Sequence, residues 1–154
     1  MKKKYYIIVA VMLLLVGCSS KKMDTYHMEI GKSDAGLDVP IIKTSDTDKI
    51  AIGKMLFEEY LKITYENYKN EKGNYVNILK DYKINDIKLD EDLGNGDFLV
   101  SVDYDLQSID GYIEVFKTGN GVESSDNWVK NKYFILKIQN VDKNKYKLSE
   151  LYTG

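Results

Sequence analysis

Arginine is absent from this chain: all 22 basic residues are lysines. The planar guanidinium fork that grips carboxylates and phosphates bidentately is therefore missing, which weakens any specific anion-binding role. Cysteine, histidine, proline and tryptophan occur once each, as Cys18, His27, Pro40 and Trp128. A single cysteine forms no disulfide within the chain, so a packed core must hold the fold. A folded part of about 110 residues can supply such a core without staples.

What is present is concentrated first at the N-terminus. Lys2, Lys3 and Lys4 precede an apolar run, Tyr5–Val16, that closes on Leu15-Val16-Gly17-Cys18. A basic n-region, a short h-region and a small residue at the end are the parts of a secretory signal. A transmembrane span needs about 20 apolar residues, whereas this run has about 12 and Ser19-Ser-Lys-Lys22 turns polar at once. The segment closely resembles a bacterial lipoprotein signal with its lipobox. That resemblance implies removal of residues 1–17 and a thioether-linked diacylglycerol on Cys18, the first residue of the mature chain. Two acyl chains suffice for stable attachment where one is marginal. The expected location is the cell membrane, lipid-anchored and facing outside the cytoplasm, with the membrane as the first partner.

The whole chain carries a formal charge of −2; without Lys2, Lys3 and Lys4 it has 19 basic against 24 acidic residues, or −5. An acidic mature chain is a poor partner for nucleic acid. Abundant Lys, Asn, Ile and Tyr suit an AT-rich genome such as that of a low-GC Gram-positive bacterium. The same bias accounts for the 13 tyrosines without a sugar-stacking surface.

Residues 18–45 read as the lipidated cysteine and a flexible tether: polar, without sustained periodicity, and holding Gly31, Gly36 and Pro40. A helix is expected over 46–70, capped by Ser45 or Asp46, with Ile52, Met55, Leu56, Tyr60 and Ile63 on one stripe. Lys54, Glu58, Lys62 and Glu66 alternate in sign on the opposite side, as on a solvated helix face. A membrane or partner-helix role for the stripe is outweighed by the strands that follow and can pack on it. A short second helix is expected over 75–82. From Lys83 the period becomes two: strands over 83–91, 97–106, 112–117, 131–141 and 145–152, with turn chemistry at Gly94-Asn-Gly96 and Asp142-Lys-Asn-Lys145. The clearest strand places Phe98, Val100, Val102, Tyr104 and Leu106 on one face and Ser101, Asp103 and Asp105 on the other.

The expected class is thus α+β, with a long and a short helix packed on a curved antiparallel sheet of about five strands in one domain, 46–154. Asp81-Tyr-Lys-Ile84, Val100-Ser-Val-Asp-Tyr104, Gly119-Asn-Gly121, Trp128-Val-Lys-Asn-Lys132 and Thr153-Gly154 carry a resemblance to the NTF2-like (cystatin-like) fold. It is nearest to small NTF2-like domains of unknown function in secreted and lipid-anchored Gram-positive proteins. The resemblance implies a cone-shaped fold. It supplies no substrate, because relatives of the superfamily include isomerases, dehydratases and non-catalytic modules.

Nucleophilic hydrolysis needs an activating base, but His27 falls in the expected tether and the only cysteine is the expected lipid acceptor. Ser-His-Asp and Cys-His constellations and multi-ligand zinc sites are excluded on that reading. Asp103 and Tyr104 are neighbours on a strand and face opposite sides, so they do not form an acid/base pair; Asp110 with Tyr112 or Tyr133 remains open. Asp90-Glu-Asp92 with Asn95 and Asp97 has oxygen ligands for calcium but not the twelve-residue loop spacing, and reads as a solvated turn. Trp128 is either an anchor for a partner beside the Gly119–Gly121 loop or a rim residue over the core. Val102, Tyr104, Tyr133 and Ile135 either line a cone pocket or pack as core. The reading that results is a non-catalytic binding or assembly module of the envelope, with no cofactor and no metal. It would take an envelope protein or small apolar ligand near Tyr104, Tyr133, Trp128, Gly119 and Gly121. An isomerase- or dehydratase-type enzyme using a Tyr/Asp pair, and a structural spacer, are the alternatives.

Overall fold

The computed structural model describes residues 26–153; the signal segment and Cys18 lie outside them. The elements run β1 (His27–Lys32), β2 (Asp38–Lys43), α1 (Lys49–Leu61) continued by a π-helical turn (Lys62–Glu66), β3 (Tyr68–Lys69), β4 (Tyr75–Val76), β5 (Leu79–Gly94), β6 (Asp97–Ser108), α2 (Ile113–Phe116), β7 (Val122–Ser124), β8 (Trp128–Asp142) and β9 (Lys145–Tyr152). Strands hold 55% of the described residues and helices 17%. The main sheet has seven strands in the order β1-β2-β9-β8-β6-β5, with β7 added on β8, and every pairing is antiparallel.

This overturns the expectation of two helices on a five-stranded NTF2-like cone. Residues 75–82 form β4 and the start of β5 instead of a helix, and 112–117 holds the four-residue α2 instead of a strand. The tether reading of 18–45 fails over 27–43, where β1 and β2 pair from His27↔Lys43 to Lys32↔Asp38 and β2 then joins β9. Pro40 is tolerated because a missing N–H is placed where the ladder does not need it, and Val39, Pro40 and Ile42 are all buried.

Helix α1 starts one turn later than expected. Asp48, not Ser45 or Asp46, is the cap, its side chain accepting from the Ile50 N–H at 3.0 Å. The helix buries Ile52, Met55, Leu56, Phe57 and Leu61 against β2, β5, β6, β8 and β9. On β6 the side chains Phe98, Val100, Val102, Tyr104 and Leu106 are fully buried, as alternation predicts. On β8 the core set is Val129, Leu136 and Ile138 with Phe134 packed against it. Tyr133 and Ile135 pair with Asp103 and Ser101 and share their outer face. Placing Tyr133 and Ile135 inward is thus a phase error: Tyr133-Phe-Ile-Leu136 is apolar on both faces and carries no alternation.

Two buried details set the distances in this core. Gly53 lets α1 approach β6, since a Cβ there would lie 2.9 Å from Val100 Cγ2. Glu59, 6% exposed on α1, accepts from the Tyr26 hydroxyl at 2.5 Å and from Lys62 Nζ at 2.6 Å. Burial, and next the Glu59 carboxylate, raise the Tyr26 pKa well above that of a free phenol. From the far edge Tyr82 on β5 reaches the same region, pushed up to about 12 by burial and by Glu58. Chain entry is thereby fastened to the last turn of α1 by a hydrogen bond.

Gly53→Ala should lower stability by about 1 kcal/mol in urea denaturation, because overpacking against Val100 exceeds the helix-propensity gain. In a double-mutant cycle with Val100→Ala, the pair should cost less than the sum of the two single changes.

Candidate functional site

The interior beneath α1, where the sequence left a cone pocket and simple core packing as alternatives, is filled by aromatic rings. Tyr104 meets Phe57 edge to face at 4.8 Å between centroids and stacks on Phe134 at 5.7 Å, while Tyr65 stacks on Phe116 at 4.7 Å. Rings at these separations exclude a ligand and contribute beyond their buried area. Burial raises the pKa of Tyr60, Tyr65 and Tyr104. The Tyr104 hydroxyl has no hydrogen-bond partner in this core. Asp103, across the strand, faces the outer side with Tyr133, so no carboxylate from that strand reaches the hydroxyl.

The remaining expected site residues are placed apart from Tyr104. Trp128 opens β8, half-buried, between Gln107 of β6 and Ser124 of β7. Gly119 and Gly121 sit in the loop before β7 with φ of 85° and 106°, a region that favours glycine. Their reason is structural. Lys132, 2% exposed, extends under this loop and donates from Nζ to the carbonyl oxygens of Phe116 (2.9 Å), Thr118 (3.1 Å) and Asn120 (2.7 Å). A Cβ on Gly121 would lie 2.7 Å from Lys132 Cγ, so the glycine makes room for the lysine stem. Asn120 completes the loop, exchanging hydrogen bonds with the Tyr133 backbone at 2.8 and 3.0 Å. Burial lowers the Lys132 pKa, while its carbonyl acceptors favour the protonated form. Nothing in the alternation of 131–141 flagged Lys132. The left-handed Asn131, whose N–H bonds Asp105 at 2.9 Å, interrupts the ladder and leaves both Val129 and Lys132 buried.

The acidic residues near the β5–β6 turn are dispersed as well. Asp90 accepts from the Ser101 hydroxyl, Asp92 pairs with Lys49 at 2.5 Å, and Asp97 accepts from the Asn140 N–H at 2.8 Å. Asn95-Gly96 turns the hairpin with two positive φ angles, 54° and 85°. Asp110 accepts from Asn127 Nδ2 at 2.6 Å, and His27 lies on β1 with Nε2 3.7 Å from Glu29. Among the described residues no group of three or more His, Cys, Asp or Glu side chains is placed to hold a metal.

Open concavity lies elsewhere, at the C-terminal end of α1. After the π-turn, β3 and β4 form a small hairpin whose Asn70 side chain accepts from the N–H groups of Lys72 and Asn74, both at 3.0 Å. Facing it is the segment Gly111–Val115, which turns at Gly111 (φ 84°) into α2. Between them is a groove of about 460 Å³, lined among others by Tyr68, Asn70, Glu71, Lys72, Tyr112 and Glu114. Tyr68 and Tyr112 meet edge to face in it, 6.0 Å between centroids. The groove offers ring edges and faces with amide, carboxylate and ammonium groups beside them, a surface suited to a partner that is apolar in part and polar in part. Tyr68 and Tyr112 were in plain view in the sequence. Only the strand character of 75–76 and the helical turn of 113–116 bring them together.

Comparison with protein families, with curated proteins and with solved structures finds no match to this chain.

Replacing Lys132 with methionine should cost about 1–3 kcal/mol in urea denaturation, since three buried carbonyls lose their donor. Limited proteolysis should then cut first between Phe116 and Gly121; unchanged cutting there would show that the lysine does not hold the loop.

Proposed function

We propose that the chain is a lipid-anchored, extracytoplasmic, non-catalytic binding module that recognises an envelope protein through the Tyr68–Tyr112 groove. The observation that carries this reading is the contrast between a ring-filled interior at Tyr104 and an open, aromatic-floored groove at the end of α1. The N-terminal pattern from Lys2 to Cys18 supports the anchor. Among the described residues no helix is long and apolar enough to cross a membrane. The groove suits a protein partner because paired tyrosines with a polar rim give contact area at low entropic cost, as in interface hot spots.

The anchor is tested by labelling cells with a fatty-acid analogue: the parent chain takes up label and Cys18→Ala does not. For the groove, a photo-crosslinking side chain is placed at Glu71 in the lipidated protein. One dominant protein adduct should form in cells, weaker by at least about tenfold with Tyr112→Ala and unchanged with Asp103→Ala. Equal capture with and without Tyr112 would refute the groove.

A further inference from the structure

The two edges of the sheet are built differently. β5, at one edge, has sixteen residues rich in Asp, Glu and Lys, and its pairing with β6 shifts register four times. Bulges and charges of this kind block the addition of a further strand. β1, at the other edge, pairs with β2 over six residues without a shift and has no second partner among the described residues. Ile30 on this strand is 61% exposed and Tyr75 is 72% exposed. Both line a groove of about 410 Å³ with Asp38, Ile63 and Asn67. A regular edge beside exposed apolar side chains is a template for pairing.

We infer that β1 pairs antiparallel with β1 of a second copy of this chain, with the two-fold axis at Ile30. In that register Ile30 faces its own counterpart, Met28 faces Lys32, and Glu29 faces Gly31, over which the Ile41 side chain lies. No like charges meet. A shift that centres the axis on Glu29 would oppose two carboxylates.

Six paired residues make a contact smaller than the roughly 1,200 Å² typical of stable complexes. Confinement to one surface makes up the difference, and here the inference rests on the anchor proposed above. Only residues 19–25 separate Cys18 from Tyr26, a reach of at most about 30 Å at 3.6 Å per residue. Two anchored copies thus hold their β1 edges in the same thin layer over the bilayer, at high effective concentration.

The test uses the full-length chain in its native membrane, with Ile30→Cys against Leu93→Cys, on the opposite edge at 42% exposure. An acylated Cys18 leaves the introduced thiol as the only free one. On mild oxidation, Ile30→Cys should form disulfide-linked dimers at least about tenfold faster than Leu93→Cys. Met28→Cys and Lys32→Cys on separate copies should cross-link to each other in preference to themselves. Equal rates at the two edges, no dimer at Ile30, or a heterologous adduct at Ile30 would each overturn the self-pairing. If the parent chain itself forms disulfide dimers, Cys18 is free and the anchor reading fails. The same Ile30 and Leu93 comparison in a Cys18→Ala background at high protein concentration then decides the edge independently.

Discussion

Helix α1 has thirteen residues, about 20 Å at 1.5 Å each, whereas the strands beneath it run to sixteen residues, about 50 Å. A single helix of that length has to shield the apolar face of a seven-stranded sheet, and much of the structure follows from this shortage. Register shifts, the irregularities at which strands bend, interrupt the β5–β6, β6–β8 and β8–β9 ladders. Gly53 draws the helix down onto Val100. Past the end of α1 the cover is improvised from a π-turn, a two-residue hairpin and a four-residue helix, with tyrosine and phenylalanine rings filling the space between them. Large rings with few rotatable bonds fill irregular volume at low entropic cost. This is why aromatic residues collect at that end, and why the interior has no room for a ligand while the seam between improvised pieces leaves a groove.

Among the described residues two charged side chains, Glu59 and Lys132, are buried, and they are handled in opposite ways. Glu59 is neutralised locally by Lys62, three residues on, and shares its oxygen with the Tyr26 hydroxyl. Lys132 has no carboxylate partner among the described residues and is held by three backbone carbonyls. A buried ammonium without a counter-ion is costly unless each proton finds an acceptor, and three carbonyls match its three donors. The Gly119–Gly121 loop is therefore shaped by the lysine beneath it. Glycines that look like a recognition loop in the sequence have a conformational task first.

The legibility of the chain followed the strength of local patterning. β6 was readable because its faces differ residue by residue, and the Asn95-Gly96 turn because its chemistry admits few other conformations. β1 and β2 were hidden because His27–Lys32 mixes charged and apolar residues at an edge, where only part of each side chain is buried, so the segment looks like linker. Residues 75–82 carry apolar residues at a spacing that serves either period, and pairing with β3 and β6 settles them as strand. Residues 112–117 alternate as a strand does, yet Ile113, Val115 and Phe116 all pack on the core from one helical turn. The groove depends on both of these tertiary outcomes and so had no local signature.

The inclusion of β1 in the sheet also changes what the N-terminal segment can do. A tether of 27 residues would let the domain roam about 30 Å on average, whereas the seven residues left after Cys18 set a similar distance as an upper limit. The leash ends at Tyr26, which is bonded to Glu59 in the last turn of α1, the same end of the helix from which the π-turn and the Tyr68–Tyr112 groove continue. From Tyr26 onward the described chain is therefore tied directly to the end of α1 from which the groove continues. On the proposed lipid anchor, such a coupling restricts the groove to partners that sit close to the membrane surface. Loss of the Tyr26–Glu59 bond would lengthen the leash by only one residue, about 3.6 Å, because His27 is already held in the β1–β2 ladder.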